Sequence, residues 1–278
     1  MSPTVSFISD QPNIGDPSLH WADFETPKLR RFPHSNNPCL ELPNNYLGGG
    51  VDGFVFKAEI DGHPVAVKIF LHNRQPEPVD GIGFYWAFER ECINCALLQM
   101  IDASLQRAAT TKRPIYVLSR PTTKAEALRN LWAFSDEGNV QCDPPPQYSQ
   151  FNPPDVQINK CLGWTKLTGR SILQALNRAR ILTDIKSDET YFPIVYDFVP
   201  KGKLEADTIL SQLDFFHVAG FYNVPFNPTN WLGRGVLVDF SDIVSPLAHE
   251  LDWDKQSYAM NQEMYHAGVR SFERKGLL

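Results

Sequence analysis

Residues 221–241 read Phe-Tyr-Asn-Val-Pro-Phe-Asn-Pro-Thr-Asn-Trp-Leu-Gly-Arg-Gly-Val-Leu-Val-Asp-Phe-Ser. The second half of this run fits the pattern H-R-D-x-x-x-x-N, short hairpin, D-F-G. Asn230 takes the place of the Asn, and Asp239-Phe240-Ser241 takes that of D-F-G, with Ser for Gly. The first half departs from the pattern. Asn223 and Val224 stand where His and Arg belong, and Pro225 stands where the Asp belongs. The chain thus keeps two candidate metal ligands, Asn230 and Asp239. It lacks the carboxylate that receives a substrate proton.

Working outward, Gly48-Gly49-Gly50-Val51-Asp52-Gly53-Phe54-Val55 fits G-x-G-x-x-G-x-V at every fixed position. Glycine-rich loops are common, so the pattern alone is weak. Here Val65-Ala66-Val67-Lys68 follows after one strand and a turn at Asp61-Gly62. Glycines let a backbone lie close over phosphates, and a strand lysine pairs with phosphates and with a helix glutamate. Glu91 is the candidate for that glutamate, with Glu89 second. Both lie in 84–100, where Phe84, Phe88, Cys92, Cys95 and Leu98 recur at helical spacing. A further block, Tyr191-Phe192-Pro193-Ile194-Val195-Tyr196-Asp197-Phe198-Val199-Pro200-Lys201-Gly202, reads as a strand followed by a linker.

In this order the blocks resemble a protein kinase. The resemblance makes Tyr196 the gatekeeper and Asp197–Val199 the hinge that meets an adenine. It places Phe215-Phe216-His217 at the helix end before the catalytic loop. Pro27-Lys28-Leu29-Arg30-Arg31-Phe32 and the run from Asn230 to Ser241 are closer still to the fungal kinase-like family named for Fta-two, a kinetochore subunit of the Sim-four complex. That resemblance spans roughly residues 27–246 and implies a divergent kinase-like fold. The family tends to keep an Asp where this chain has Pro225. The fold class expected is α+β: a protein-kinase-like, two-lobed fold with a reduced C-lobe. Its parts are an extended N-terminal arm over 1–43, an N-lobe over 44–199 with an insertion at about 119–155, and a reduced C-lobe over 200–278.

Length and composition bound this reading. The 278 residues suffice for two lobes with a sizeable core, and 42% hydrophobic with 21% charged residues is ordinary for a globular domain. A net charge of −6 argues against nucleic-acid binding driven by bulk charge. No apolar run is long enough for a membrane span, and no secretory signal is visible at the N-terminus. The five cysteines, 39, 92, 95, 142 and 161, are scattered and odd in number, which suits a reduced compartment, cytoplasmic or nuclear. Cys92-x-x-Cys95 has no second pair and lies in an apolar helical pattern, so it reads as two buried helix cysteines rather than a metal or redox site.

Phosphoryl transfer needs phosphate positioning, metal charge and a residue that orients the nucleophile. Lys68, Glu91, Asn230 and Asp239 supply the first two. Pro225 cannot supply the third, and His217 and Asp242 are poor substitutes by position. Asp52 in the glycine loop opposes bound phosphate by Coulomb repulsion. The primary expectation is therefore a pseudokinase-type ligand-binding or scaffold protein, with a small molecule or a protein as partner. The alternative is a small-molecule biosynthetic enzyme, as in secondary metabolism, that reuses the cleft for chemistry other than phosphoryl transfer. An atypical kinase ranks last. The candidate ligand-binding residues are Gly48, Gly50, Gly53, Val55, Ala66, Lys68, Tyr196, Asn223, Asn227 and Leu232. If the protein is an enzyme, the candidate catalytic groups are Lys68, Glu91 and Asp239. The cofactor is unknown. Mg-ATP is the one the motifs admit, weakly bound, with its metal on Asn230 and Asp239.

Overall fold

The computed structural model describes residues 6–33, 42, 45–76, 85–140, 146–151, 156–222, 228–248 and 255–276. Among these are six α-helices and a mixed seven-stranded sheet, an α+β fold. The chain divides into two compact units. The first comprises Met1–Gly15, Lys28–Ala96 and Lys160–Phe198; the second comprises Asp16–Pro27, Leu97–Asn159 and Val199–Leu278.

The first unit is built on the large sheet. Its strands run in the order Ile8–Pro12, Leu29–Arg31, Cys161–Trp164, Ile194–Asp197, His63–Phe70, Gly53–Ile60 and Tyr46–Gly49. The strand bearing Lys68 lies between the glycine-loop hairpin and the strand bearing Tyr196, antiparallel to both. Alternation along the strands fixes which side is dry. Phe54, Phe56, Val65, Val67, Ile69 and Val195 are buried together with Ile172, Ala175 and Leu176 of the helix Gly169–Arg178. That helix is held at its start by Thr168, whose hydroxyl accepts from the Ser171 amide. Gly62 and Asp61 turn the hairpin with positive φ values of 80° and 52°.

The N-terminal segment, expected to be an extended arm, instead supplies regular structure. Ile8–Pro12 and Leu29–Arg31 pair in parallel, and Arg31 pairs in parallel with Trp164, so both join the sheet. The Trp164 indole donates to the Ser9 carbonyl at 2.9 Å, tying the first strand down. Such short parallel strands lack a local periodic signature, because they are stabilised by partners far away in sequence. A short helix, Trp21–Glu25, falls between them and belongs to the second unit.

The long helix Ala87–Thr111 begins in the first unit and continues into the second. In the second unit, the segment expected to be an insertion is largely ordered. Tyr148–Gln150 pairs antiparallel with Tyr116–Leu118. Lys124–Trp132 forms a helix whose start is a capping box, with Thr123 accepting from the Glu126 amide and Glu126 accepting from the Thr123 amide. Buried Asn130 closes a three-way junction. Its carbonyl oxygen accepts from the Leu118 amide at 2.8 Å, and its amide donates to the Leu118 and Val218 carbonyls, each at 2.8 Å. The helices Ala206–Val218 and Lys255–Arg274 pack on each other, with the His217 ring stacked 4.6 Å from that of Tyr258.

Candidate functional site

Sheet register determines which candidate residues share a face. Gly48 lies opposite Val55, Val55 opposite Lys68, and Lys68 opposite Ile194. Two residues along, Lys57 lies opposite Ala66 and Ala66 opposite Tyr196. Directly opposed residues share a face of a sheet, as do residues two apart on one strand. Val55, Ala66, Lys68 and Tyr196 therefore lie on one face, opposite the apolar core of the unit. The sequence expectation grouped these four, and the register brings them together.

The glycines of the loop have different reasons to be glycine. A Cβ on Gly53 would stand 1.9 Å from the Ile69 carbonyl oxygen, so the neighbouring strand itself requires glycine there. A Cβ on Gly49 would stand 2.6 Å from the Tyr46 hydroxyl. A Cβ on Gly48 or Gly50 would meet no atom of the described residues within 4 Å, and neither has a positive φ. Among the described residues nothing requires glycine at these two positions.

Lys68 and Glu91 form the polar centre of the face. Lys68 Nζ donates to Glu91 Oε2 at 2.5 Å, with side-chain exposures of 8% and 0%. The Tyr196 hydroxyl donates a short hydrogen bond to Glu91 Oε1. Cys95, one helical turn beyond Glu91, lies 3.3 Å from the same hydroxyl. Burial pushes the Tyr196 phenol well above its usual range, and the neighbouring Cys95, Glu91 and Cys161 push the same way. Burial likewise raises the Cys95 thiol, reinforced by a hydrogen bond with Cys161. The two buried helix cysteines and Cys161 are free thiols. Protonated neighbours of this kind hold a carboxylate in place but do not themselves exchange protons readily near neutral pH. Glu91, not Glu89, meets the lysine; Glu89 is half-buried, and burial raises its carboxyl pKa, with Arg90 opposing.

This network changes the reading of Tyr196. Sequence places it as a ligand-facing gatekeeper, yet it is only 2% exposed and its hydroxyl belongs to Glu91 and Cys95. The signal for this was a tyrosine sharing the lysine's sheet face, with a carboxylate and a thiol spaced one helical turn apart.

The remaining candidates lie in the second unit and are bonded locally. Trp231–Leu232 and Val236–Leu237 form the expected hairpin, and Leu232 is half-buried within it. Asp239 Oδ1 accepts from the Ser241 amide at 3.1 Å and from its hydroxyl at 2.6 Å. The Ser that replaces Gly in the D-F-G pattern thus makes an extra bond to the aspartate. Asn230 donates to Asp242 at 3.2 Å and accepts from Thr229 at 3.2 Å. Among the described residues no group of three His, Cys, Asp or Glu is placed to hold a metal ion. Asp239 and Asn230, the two candidate ligands, each hold hydrogen bonds in or across this hairpin.

His217, a weak candidate base, is buried against Tyr258, whose hydroxyl donates to the His217 carbonyl at 2.9 Å. Burial lowers its pKa, partly offset by Asp214 and by a bond to the Pro121 backbone. Asn223, Val224, Pro225, Phe226 and Asn227 lie outside the described residues. No helix among the described residues is long and apolar enough to cross a membrane.

Compared with models of known protein families the chain matches none, and a comparison with curated proteins finds no relative.

Proposed function

We propose that this protein is a kinase-like, catalytically silent ligand-binding protein. Three features support a kinase-like reading. The glycine-loop hairpin, the lysine strand and the Tyr196 strand are successive neighbours in one sheet. A helix glutamate meets the strand lysine. The motif order along the chain is the one such a site uses. The absence of a carboxylate at Pro225 argues for silence, since nothing at that position receives a substrate proton.

The observation that carries ligand binding is the pair Gly48 and Gly50. Their φ values do not require glycine, and no atom of the described residues lies within 4 Å of where a Cβ would stand. A loop that keeps glycine without a folding reason leaves room for something else to approach its backbone. Lys68 and Glu91, bonded to each other in the dry, act here as scaffold for the face and not as an acid–base pair.

The test uses ligand-induced thermal stabilisation by a panel of nucleosides, nucleotides and neutral aromatic metabolites. The wild-type chain is compared with Gly50→Val. The variant should keep the melting temperature of the apo protein and lose the shift that a panel member gives the wild type. A Gly50→Val protein that keeps the full shift would place binding elsewhere and sink this reading.

A further inference from the structure

The end of the long helix Ala87–Thr111 and the strand pair beside it enclose a cleft of about 510 Å³, within the size range of small-molecule sites. All of its lining residues belong to the second unit. Leu105 and Ala108 of the helix, with Ile115 and Phe151, give it apolar contact. The Phe151 side of the cleft is fixed without a ligand. The Phe151 amide donates to the Ile115 carbonyl at 2.7 Å, and its ring packs on Phe134 and Phe215 with centroids 5.6 and 6.0 Å away.

The charge in this cleft has one sign. Lys112 and Arg113 line it, both exposed, and none of its lining residues is acidic. Among the described residues neither cation has a side-chain ion pair or hydrogen bond. The charges around them do not cancel them. Arg107 is held by Asp136. Asp102, the acid of this helix nearest to Lys112 in sequence, accepts from Gln106 at 2.7 Å and stands about 15 Å before Lys112 along the axis. The open carbonyls of the helix end amount to about half a negative charge, against two full positive ones. Lys112 also sits against its backbone preference. It follows the helix at φ 55°, and the Arg113 amide donates to the Ala108 carbonyl at 3.2 Å, a left-handed cap at which glycine is the usual residue. Glycine would hold the same cap without the Cβ clash.

We propose that this cleft binds a small amphipathic carboxylate, with its apolar chain on Leu105, Ala108, Ile115 and Phe151 and its carboxylate between Lys112 and Arg113. Charge-assisted hydrogen bonds from an ammonium and a guanidinium then select an acid over the alcohol of the same chain. The site is independent of the glycine-loop reading above.

The test titrates the whole chain calorimetrically with octanoate, octan-1-ol and octylamine, three probes with one chain and different ends. Wild type should bind octanoate about tenfold more tightly than octan-1-ol and show no measurable binding of octylamine, with the preference for octanoate shrinking in high salt. The double variant Lys112→Gln, Arg113→Gln should lose about tenfold in octanoate affinity and hold octan-1-ol within about twofold. Ala108→Leu, which fills the cleft, should weaken octanoate and octan-1-ol alike. Lys112→Gly separates the ligand from the fold. It should melt no lower than the wild type, because the cap suits glycine, and still weaken octanoate by about threefold. A lower melting temperature with octanoate affinity unchanged would make this lysine structural and overturn its role. Equal wild-type affinities for octanoate and octan-1-ol overturn the proposal. So does an unchanged octanoate affinity in the double variant, or no binding of octanoate at millimolar concentration.

Discussion

The two motif halves of this chain are built differently. In the sheet unit, Lys68, Glu91, Tyr196 and Cys95 form one buried chain of polar contacts between a central strand, a helix and the next strand. In the other unit, Asp239 bonds Ser241 two residues on, and Asn230 bonds its neighbour Thr229 and, across the hairpin, Asp242, with part of the Asp239 and Asn230 side chains in water. The same motif vocabulary therefore has two physical meanings. The first set is written into the core, and the second is a local fastening of a hairpin. A loss of function on substituting Lys68 reports stability as well as chemistry, whereas one on substituting Asp239 reports mainly the site.

The largest effect should follow from breaking the buried pair. Lys68→Ala leaves Glu91 charged and dry, and should cost about 3–5 kcal/mol in urea denaturation. The double variant Lys68→Met, Glu91→Leu should recover most of that, since an apolar pair of similar volume tolerates burial. A near-neutral Lys68→Ala would mean that the pair is not dry. Next comes Tyr196→Phe. It removes the hydroxyl that donates to Glu91 Oε1 and should cost about 1–3 kcal/mol, with Cys95→Ala smaller.

The third prediction moves to the other unit and concerns pH. His217 has its pKa lowered by burial. The folded state therefore binds fewer protons than the unfolded one. Stability from this group is intact above the unfolded value of 6.5 and is lost as pH falls below it, down to the lowered folded value. The slope approaches about 1.4 kcal/mol per pH unit at most. His217→Phe should flatten the denaturation midpoint between pH 7.5 and 5.5, while Tyr258 and Asp214, its packed neighbours, are left in place. A wild-type midpoint that does not fall over this range would contradict the burial. Smallest of all, Asp239→Ala should cost about 1 kcal/mol for the loss of its hydrogen bonds from Ser241. A cost equal to that of Lys68→Ala would erase the contrast drawn between the two halves.

Sequence disclosed the glycine loop, the lysine strand, the choice of Glu91 over Glu89, and the hairpin after Asn230, because each is carried by residues close together in the chain. It did not disclose the strands at Ile8–Pro12 and Leu29–Arg31, whose partners are distant and whose residues show no alternation. Nor did it disclose that Tyr196 serves Glu91, since a phenol on a sheet face reads equally as a ligand contact until the helix opposite is known. The distinction between Gly53 and Gly50 was likewise invisible. Both fit the motif, and only the nearness of the Ile69 carbonyl separates a glycine the strand requires from one it does not.

The central claim is that a kinase-like sheet unit here supports binding without phosphoryl transfer. The direct measurement is transfer from labelled ATP with Mg²⁺, to the chain itself and to generic protein substrates, comparing the wild type with the stability-matched double variant Lys68→Met, Glu91→Leu. The account predicts no transfer above the buffer background from either protein. Transfer by the wild type that disappears in the double variant would contradict it.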